Sequence, residues 1–156
     1  MISIIVATDE DLLIGKEDSS NGMPWNVPED LKHFKETTLN KTILMGLTTY
    51  KAIGRPLPNR KTIVVSLEPF EDDRVEVRNS LEEVILEYQK SGEDLFISGG
   101  ASIYRQCLPI DDQLLISRIP GKHTGETYFP SFDEYGYQLV EEKPIETFKL
   151  QIYKRG

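Results

Sequence analysis

The sequence predicts an α/β fold built on a mostly parallel sheet. Three observations carry that expectation: short, nearly continuous apolar runs, helical stripes between them, and a period-two pattern confined to the C-terminal segment. Ile2-Ser3-Ile4-Ile5-Val6-Ala7 is the pattern of a strand buried on both faces. Thr42-Ile43-Leu44-Met45, Thr62-Ile63-Val64-Val65-Ser66, Leu95-Phe96-Ile97 and Leu114-Leu115-Ile116-Ser117 repeat it. Helices fit between these runs. Ser80 followed by Glu83 forms a capping box, and Leu81, Val84, Ile85 and Tyr88 give the i, i+3, i+4, i+7 stripe. Gly92 ends that helix. Further helices are expected over about Pro28 to Thr38, Thr48 to Ile53 and Ala101 to Leu108, with Pro109 closing the last. At the end of the chain, Phe148, Leu150 and Ile152 alternate with polar residues. With Tyr137-Gln138-Leu139-Val140 they predict an antiparallel pair at a sheet edge.

The chain has 156 residues, the length of one domain spanning 1–156, with no repeat or linker dividing it. Net charge is −8, which disfavours nucleic acid and anionic membrane as partners. The apolar N-terminus lacks a basic region and is too short for a signal or a membrane span, so a cytoplasmic protein is expected. The single Cys107 excludes an internal disulfide and a cysteine zinc site, and fits a buried helix position. His33 and His123 show no ligand spacing, so no metal site is expected, and His33 is expected at the surface. Asp72 and Asp73 fit a turn.

In such sheets ligands bind outside the carboxyl ends of the strands, and four constellations fall there. In the first, Asp30 follows Pro28 and Glu29 at a helix start. It either complements the helix dipole or serves as a carboxylate in an apolar setting, beside Leu31 and Phe34 and just after Met23-Pro24-Trp25. The second is Ser98-Gly99-Gly100-Ala101-Ser102-Ile103-Tyr104, a strand, a glycine pair and a helix. It either admits phosphates to the backbone or serves tight packing alone. The third, Met45-Gly46-Leu47-Thr48-Thr49, repeats that form with Thr48 as a candidate N-cap. The fourth, Gly54-Arg55-Pro56-Leu57-Pro58-Asn59-Arg60-Lys61, is a proline-stiffened basic loop. It is either a solvated turn or a fixed arginine for a carboxylate beside Ile53 and Leu57.

In this order and spacing the four constellations resemble dihydrofolate reductase over essentially the whole chain. Leu13-Ile14-Gly15, Phe34-Lys35-Glu36-Thr37-Thr38-Leu39-Asn40 and Gly125-Glu126-Thr127-Tyr128-Phe129-Pro130 carry the resemblance further. It implies a mixed, mostly parallel eight-stranded sheet with an antiparallel C-terminal end and about four helices. It also implies a monomer that reduces dihydrofolate by hydride transfer from NADPH, supporting one-carbon metabolism and thymidylate synthesis. Asp30 would bind the amino-pyrimidine edge and promote protonation of N5. Trp25 would help hold a water there, and Met23 would sit on the loop over the nicotinamide. Ile5, Val6, Leu31, Phe34, Ile53 and Leu57 would line the folate slot. Arg60, with Arg55 on the same loop, would meet the glutamate tail, and Ser117 would stand where a threonine usually bonds the acid. Ala7, Ile14 and Gly15 would meet the nicotinamide half. Gly46, Thr48, Thr49, Ser66, Leu67, Gly99, Gly100, Ala101, Ser102, Ile103 and Tyr104 would hold the rest of the cofactor.

The chain departs from the family pattern in three places. The loop from Gly15 to Pro24 is longer, Leu47 replaces an arginine, and Leu67-Glu68 follows Ser66 where polar or basic residues commonly serve the 2′-phosphate. The longer loop implies altered closure over the site, while Leu47 and Glu68 imply a weakened preference for NADPH over NADH, with Arg78 as a substitute cation. Two alternatives remain at this point: a nucleotide-binding protein without turnover, and the pyrimidine reductase of riboflavin synthesis.

Overall fold

The computed structural model describes residues 1–15 and 27–155. In chain order its elements are β1 (Ile2–Thr8), β2 (Leu13–Gly15), α1 (Pro28–Thr38), β3 (Thr42–Gly46), α2 (Leu47–Ile53), β4 (Lys61–Val65), β5 (Glu76–Arg78), α3 (Leu81–Ser91), β6 (Leu95–Ile97), α4 (Ala101–Cys107), β7 (Gln113–Arg118), β8 (Thr127–Tyr128), β9 (Tyr137–Ile145) and β10 (Phe148–Arg155). Among the described residues, one eight-stranded sheet has the order β5-β4-β3-β6-β1-β7-β10-β9. Six strands run parallel, and β10 runs antiparallel to both of its neighbours.

Period-two alternation sorts the strand residues between two layers. Ile4, Leu44, Ile63, Ile97, Leu114 and Ile116 pack with residues of α3 and α4. Ile5, Ile43, Met45, Val64, Phe96 and Leu115 pack on the other face, with Tyr50 of α2 and Phe34 of α1. Each fully buried Ile or Leu is worth roughly 1.5–3 kcal/mol of transfer free energy. The inner part of the sheet is thus a core covered by helices on both sides, which is why β1, β3, β4, β6 and β7 are largely apolar.

Helix α3 follows its sequence signals. Ser80 Oγ accepts from the Glu83 N–H at 3.3 Å, the stripe Leu81, Val84, Ile85 and Tyr88 is buried, and Gly92 closes the helix at φ 74°. Helix α2 differs from expectation. It begins at Leu47 with Gly46 as its N-cap, and Thr48 lies inside the first turn. The cause is long-range: the Gly46 N–H donates to Gly99 O at 2.9 Å, so the chain turns one residue early. Strands β2, β5 and β8 have only two or three residues, and β5 and β8 have no apolar run to announce them.

The feature that positions the site is the shortness of β6. Its pairing with β1 and β3 stops at Ile97. Beyond that level β1 continues through Thr8, paired only with β7, and β3 continues to Gly46, paired only with β4. A cleft therefore opens between β1 and β3 at the carboxyl end of the sheet. At the amino end, Arg155 closes the structure. Its guanidinium donates to Asp111 O at 2.9 Å, Tyr135 O at 2.7 Å and Leu108 O, and Tyr137 reaches the buried Asp111 carboxyl. Burial pushes that carboxyl up to about 8, against the pull of Arg155.

Replacing Arg155 with Ala should cost about 2–3 kcal/mol, the loss of a charged donor shared among carbonyls. Denaturant melts measure this, and a change below about 0.5 kcal/mol would show the clasp to be dispensable.

Candidate active site

The mouth of the cleft is framed by glycines. Ser98 N–H donates to Leu44 O at 2.8 Å and Gly46 N–H to Gly99 O, which ties the strand ends together. Tyr104, on α4, donates its hydroxyl to Ile5 O at 3.1 Å. A Cβ on Gly99 would lie 3.3 Å from Thr49 Oγ1, and one on Gly100 would lie 3.2 Å from the same atom. Gly99 also adopts φ 120°, a region that favours glycine. Close packing against α2 therefore accounts for the glycine pair. The same packing keeps the N-termini of α2 and α4 side by side over the cleft, a cradle that side chains would fill. Thr48 and Ser102 are exposed beside it, with Thr49 and Ala101 half-buried between them.

Asp30 stands on the other side of β1. It is the third residue of α1, its N–H bonds Val27 O at 3.1 Å, and its side chain is half-buried. Burial raises its carboxyl to about 6, while a hydrogen bond from Ser117 pulls the other way. Ser117, at the end of β7, is 3% exposed and lies opposite Ala7. Tyr104 is close enough to feel the Asp30 charge, which adds to burial in holding its phenol above the usual range. Asp30, Ser117, Ala7 and the Ile5–Tyr104 link thus surround one end of the cleft. A carboxyl poised near 6 can hold or release a proton close to neutrality.

The walls carry the expected apolar residues. Phe34 and Leu57 are half-buried against the layer that holds Ile5, while Leu31 and Ile53 are 55% and 41% exposed at the rim. Val6 is placed differently. Alternation turns its side chain into the opposite layer, with α3 and α4, so only its backbone borders the slot. Arg60 is held firmly: Nε donates to Thr38 Oγ1 at 2.7 Å, Nη1 to Pro58 O at 2.5 Å and Nη2 to Lys35 O. Three of its five N–H groups are used, leaving two for a carboxylate. Arg55 is exposed on the same loop. Met23 and Trp25 lie outside the described residues.

Sequence reasoning placed His33 at the surface, but its ring is half-buried, 6.0 Å from that of Phe148, and burial lowers its pKa. The contact comes from β10, too far along the chain for helix periodicity to reveal. Asp72 is more than a turn residue, since it accepts from the buried Tyr50 hydroxyl at 2.6 Å. Cys107 is buried as expected. Three contributors went unrecognised: Thr38, which anchors Arg60; Asp9, buried within an apparently polar turn; and Gly125. A Cβ on Gly125 would lie 2.3 Å from Gly15 O, so the backbone at Gly125 presses directly on the strand carrying Ile14 and Gly15.

A family model described as dihydrofolate reductase matches residues 1–154. The chain belongs to the dihydrofolate reductase family. It is 42% identical over 144 residues to a dihydrofolate reductase of Bacillus subtilis, covering 92% of this chain and 83% of that protein. It is 40% identical over 142 residues to dihydrofolate reductase type 3 of Salmonella typhimurium, covering 90% and 85%. The solved structure of dihydrofolate reductase from Enterococcus faecalis, complexed with NADP(H) and RAB-propyl, superposes with a TM-score of 0.90 at 33% identity. The match covers 100% of this chain and 96% of that one. Among dihydrofolate reductases, then, this chain keeps the family sheet, and its cleft lies where β6 ends.

Gly125→Ala should destabilise the fold by about 1–3 kcal/mol, because backbone must move to admit the methyl group. A thermal melt indistinguishable from wild type would show that the Gly15 contact relaxes freely.

Proposed function

We infer that this chain reduces 7,8-dihydrofolate to 5,6,7,8-tetrahydrofolate with NADPH. The observation that carries the reading is the half-buried Asp30 carboxyl, bonded to Ser117 and raised to about 6, at the end of the cleft. Family membership supplies the frame around it. The alternative without turnover explains the glycine cradle but leaves a carboxyl tuned near neutrality without a task.

The chain's own residues divide the work. Asp30 binds the amino-pyrimidine edge of the pterin, a planar pair of donors that suits a carboxylate. Through water, it also promotes the protonation of N5. Ser117 fixes the carboxyl's orientation and tempers its rise in pKa. Phe34, Leu31, Ile53 and Leu57 clasp the ring system and exclude water. Arg60 offers its two remaining N–H groups to the α-carboxylate of the tail. Ala7, Ile14 and Gly15 border the nicotinamide, and the cradle of Gly46, Thr48, Thr49 and Gly99–Tyr104 takes the phosphates. Bound NADPH supplies the hydride. We assign this activity to a cytoplasmic monomer that acts on small molecules, away from nucleic acid and membrane. The charge of −8 supports that assignment, and among the described residues no helix is long and apolar enough to cross a membrane.

The far end of the cofactor site has a distinct character. A recess of about 380 Å³ at the carboxyl ends of β4 and β5 is lined by Ser66, Leu67, Glu68, Phe70, Arg78 and others. Ser66 Oγ donates to Glu68 O at 2.8 Å, and Leu67 is 92% exposed. Arg78 lies 3.3 Å from Glu76 and 3.8 Å from Glu83, and it also pairs with Glu87. The cation that could meet a 2′-phosphate is therefore surrounded by carboxylates. We propose a weakened preference for NADPH over NADH on that ground.

Asp30→Asn should lower kcat/KM for dihydrofolate on the order of 10²–10⁴-fold near neutral pH. An unchanged rate would remove Asp30 from the mechanism. In the wild type the protonated carboxyl is the working form, so kcat/KM should fall as pH rises through about 6. Ser117→Ala removes a bond that favours the ionised form and should move that midpoint upward; a midpoint that stays put would detach Ser117 from Asp30. For the cofactor, comparing kcat/KM with NADPH and NADH decides the matter, and a preference above about a thousandfold sinks the proposal.

A further inference from the structure

Asp9 lies outside the ligand walls, yet its carboxylate is fully buried at 0% exposure. Its hydrogen bonds come from backbone N–H groups of two segments, and the charge of the nearby His123 ring adds to them. Oδ1 accepts from the Asp11 N–H at 2.8 Å and the Leu13 N–H at 2.9 Å. Oδ2 accepts from the His123 N–H at 2.8 Å, 114 residues along the chain. These bonds oppose the cost of burial and hold the carboxyl below the usual carboxylate range, so it stays ionised at working pH.

The two groups of donors belong to two different segments. The turn from Asp9 to Leu12 joins β1 to β2, with Leu12 at φ 69° and the Asp9 N–H bonded to Leu13 O at 3.2 Å. The second segment, from Ile119 to Phe129, follows β7. It touches the first again at Gly121 O, which accepts from Glu10 N–H at 3.3 Å, and at Gly15 O, which accepts from Glu126 N–H at 3.2 Å. The Phe129 N–H to Leu12 O bond, at 2.7 Å, ends the seam. Most of this seam is ordinary backbone pairing. An exposed ion pair between Asp11 and Lys122, at 4.0 Å, also spans the two segments, but Asp9 joins them through one buried charged group, and it does so just before β2.

We propose that Asp9 is a positioning residue for the nicotinamide end of the cofactor site: its carboxylate clips the turn that delivers Ile14 and Gly15 to the segment around His123, and so sets where the hydride donor lies. The proposal rests on the reductase reading for the identity of the donor, while the clip itself stands on the geometry. An amide cannot substitute for the carboxylate. Asn has one accepting oxygen, and its NH2 group would face an N–H donor on one side of the clip.

The test uses the whole chain and the Asp9→Asn variant. NADPH affinity is measured by fluorescence titration, and the hydride-transfer rate by single-turnover absorbance. The variant should bind NADPH about tenfold more weakly and transfer hydride about tenfold more slowly, as for a displacement well under 1 Å. The KM for dihydrofolate and the pH midpoint set by Asp30 should not move. Affinity and single-turnover rate both within twofold of wild type would overturn the proposal, even if the variant melts at a lower temperature. If the variant does not fold, amide hydrogen exchange on the wild type decides instead. The Asp11, Leu13 and His123 amides should be protected together, about a hundredfold or more over an open chain, and exchange of the His123 amide at the open-chain rate would overturn the clip. A wild type that does not oxidise NADPH with dihydrofolate would sink the reductase reading, while exchange and cofactor affinity would still decide Asp9.

Discussion

The arrangement of the molecule depends on one backbone constraint: β6 ends at Ile97 while its neighbours continue. A parallel sheet whose inner strand stops short leaves two rows of main-chain edge facing each other across a gap. That gap must be bridged, because unpaired backbone in a core costs free energy. Here the bridge is the Ser98–Gly100 turn, bonded to β3 at Leu44 and Gly46, with Tyr104 reaching Ile5. The bridging atoms approach so closely that a Cβ on Gly99 or Gly100 would crowd the Thr49 hydroxyl at 3.3 and 3.2 Å. Cleft, cradle and the early start of α2 are therefore one event seen from three sides.

The chemistry follows from a second balance. Asp30 sits deep enough for burial to raise its carboxyl, but a single serine hydroxyl opposes the rise and leaves the group near 6. Asp9, on the turn beyond β1, shows the contrasting case. Three backbone N–H groups overcome its burial, and the carboxyl stays charged. Two aspartates close to the same strand are thus given different tasks by the donors around them. One can exchange a proton, and the other serves as a fixed anchor.

What the sequence could express was largely local. The apolar runs of β1, β3, β4, β6 and β7, the Ser80 cap with its stripe, and Gly92 all act within a few residues, and all were legible. The Asp30 region was legible only through the order of several motifs together. The remainder depends on contacts across the chain. Val6 turns away from the slot because β1 alternates against two layers. His33 is half-buried because β10 brings Phe148 to it. Thr48 is not the N-cap because Gly99 bonds Gly46 first. Asp9, in the polar run Thr8-Asp9-Glu10-Asp11, looks like a surface turn until the His123 segment arrives. β5 has no pattern of its own and exists because β4 offers an edge.

The two borders of the sheet have a further consequence, for behaviour at high concentration. A sheet edge is a template on which another chain can pair. One border is β5, only three residues long. The other is β9, which carries Glu141, Glu142, Lys143 and Pro144, all exposed. Short length, charged side chains and a missing N–H are features that keep foreign strands from adding to an edge. The same strand also exposes Leu139 and Val140, so on this nine-residue edge the charges and the proline are the features that oppose the pairing its apolar positions would invite.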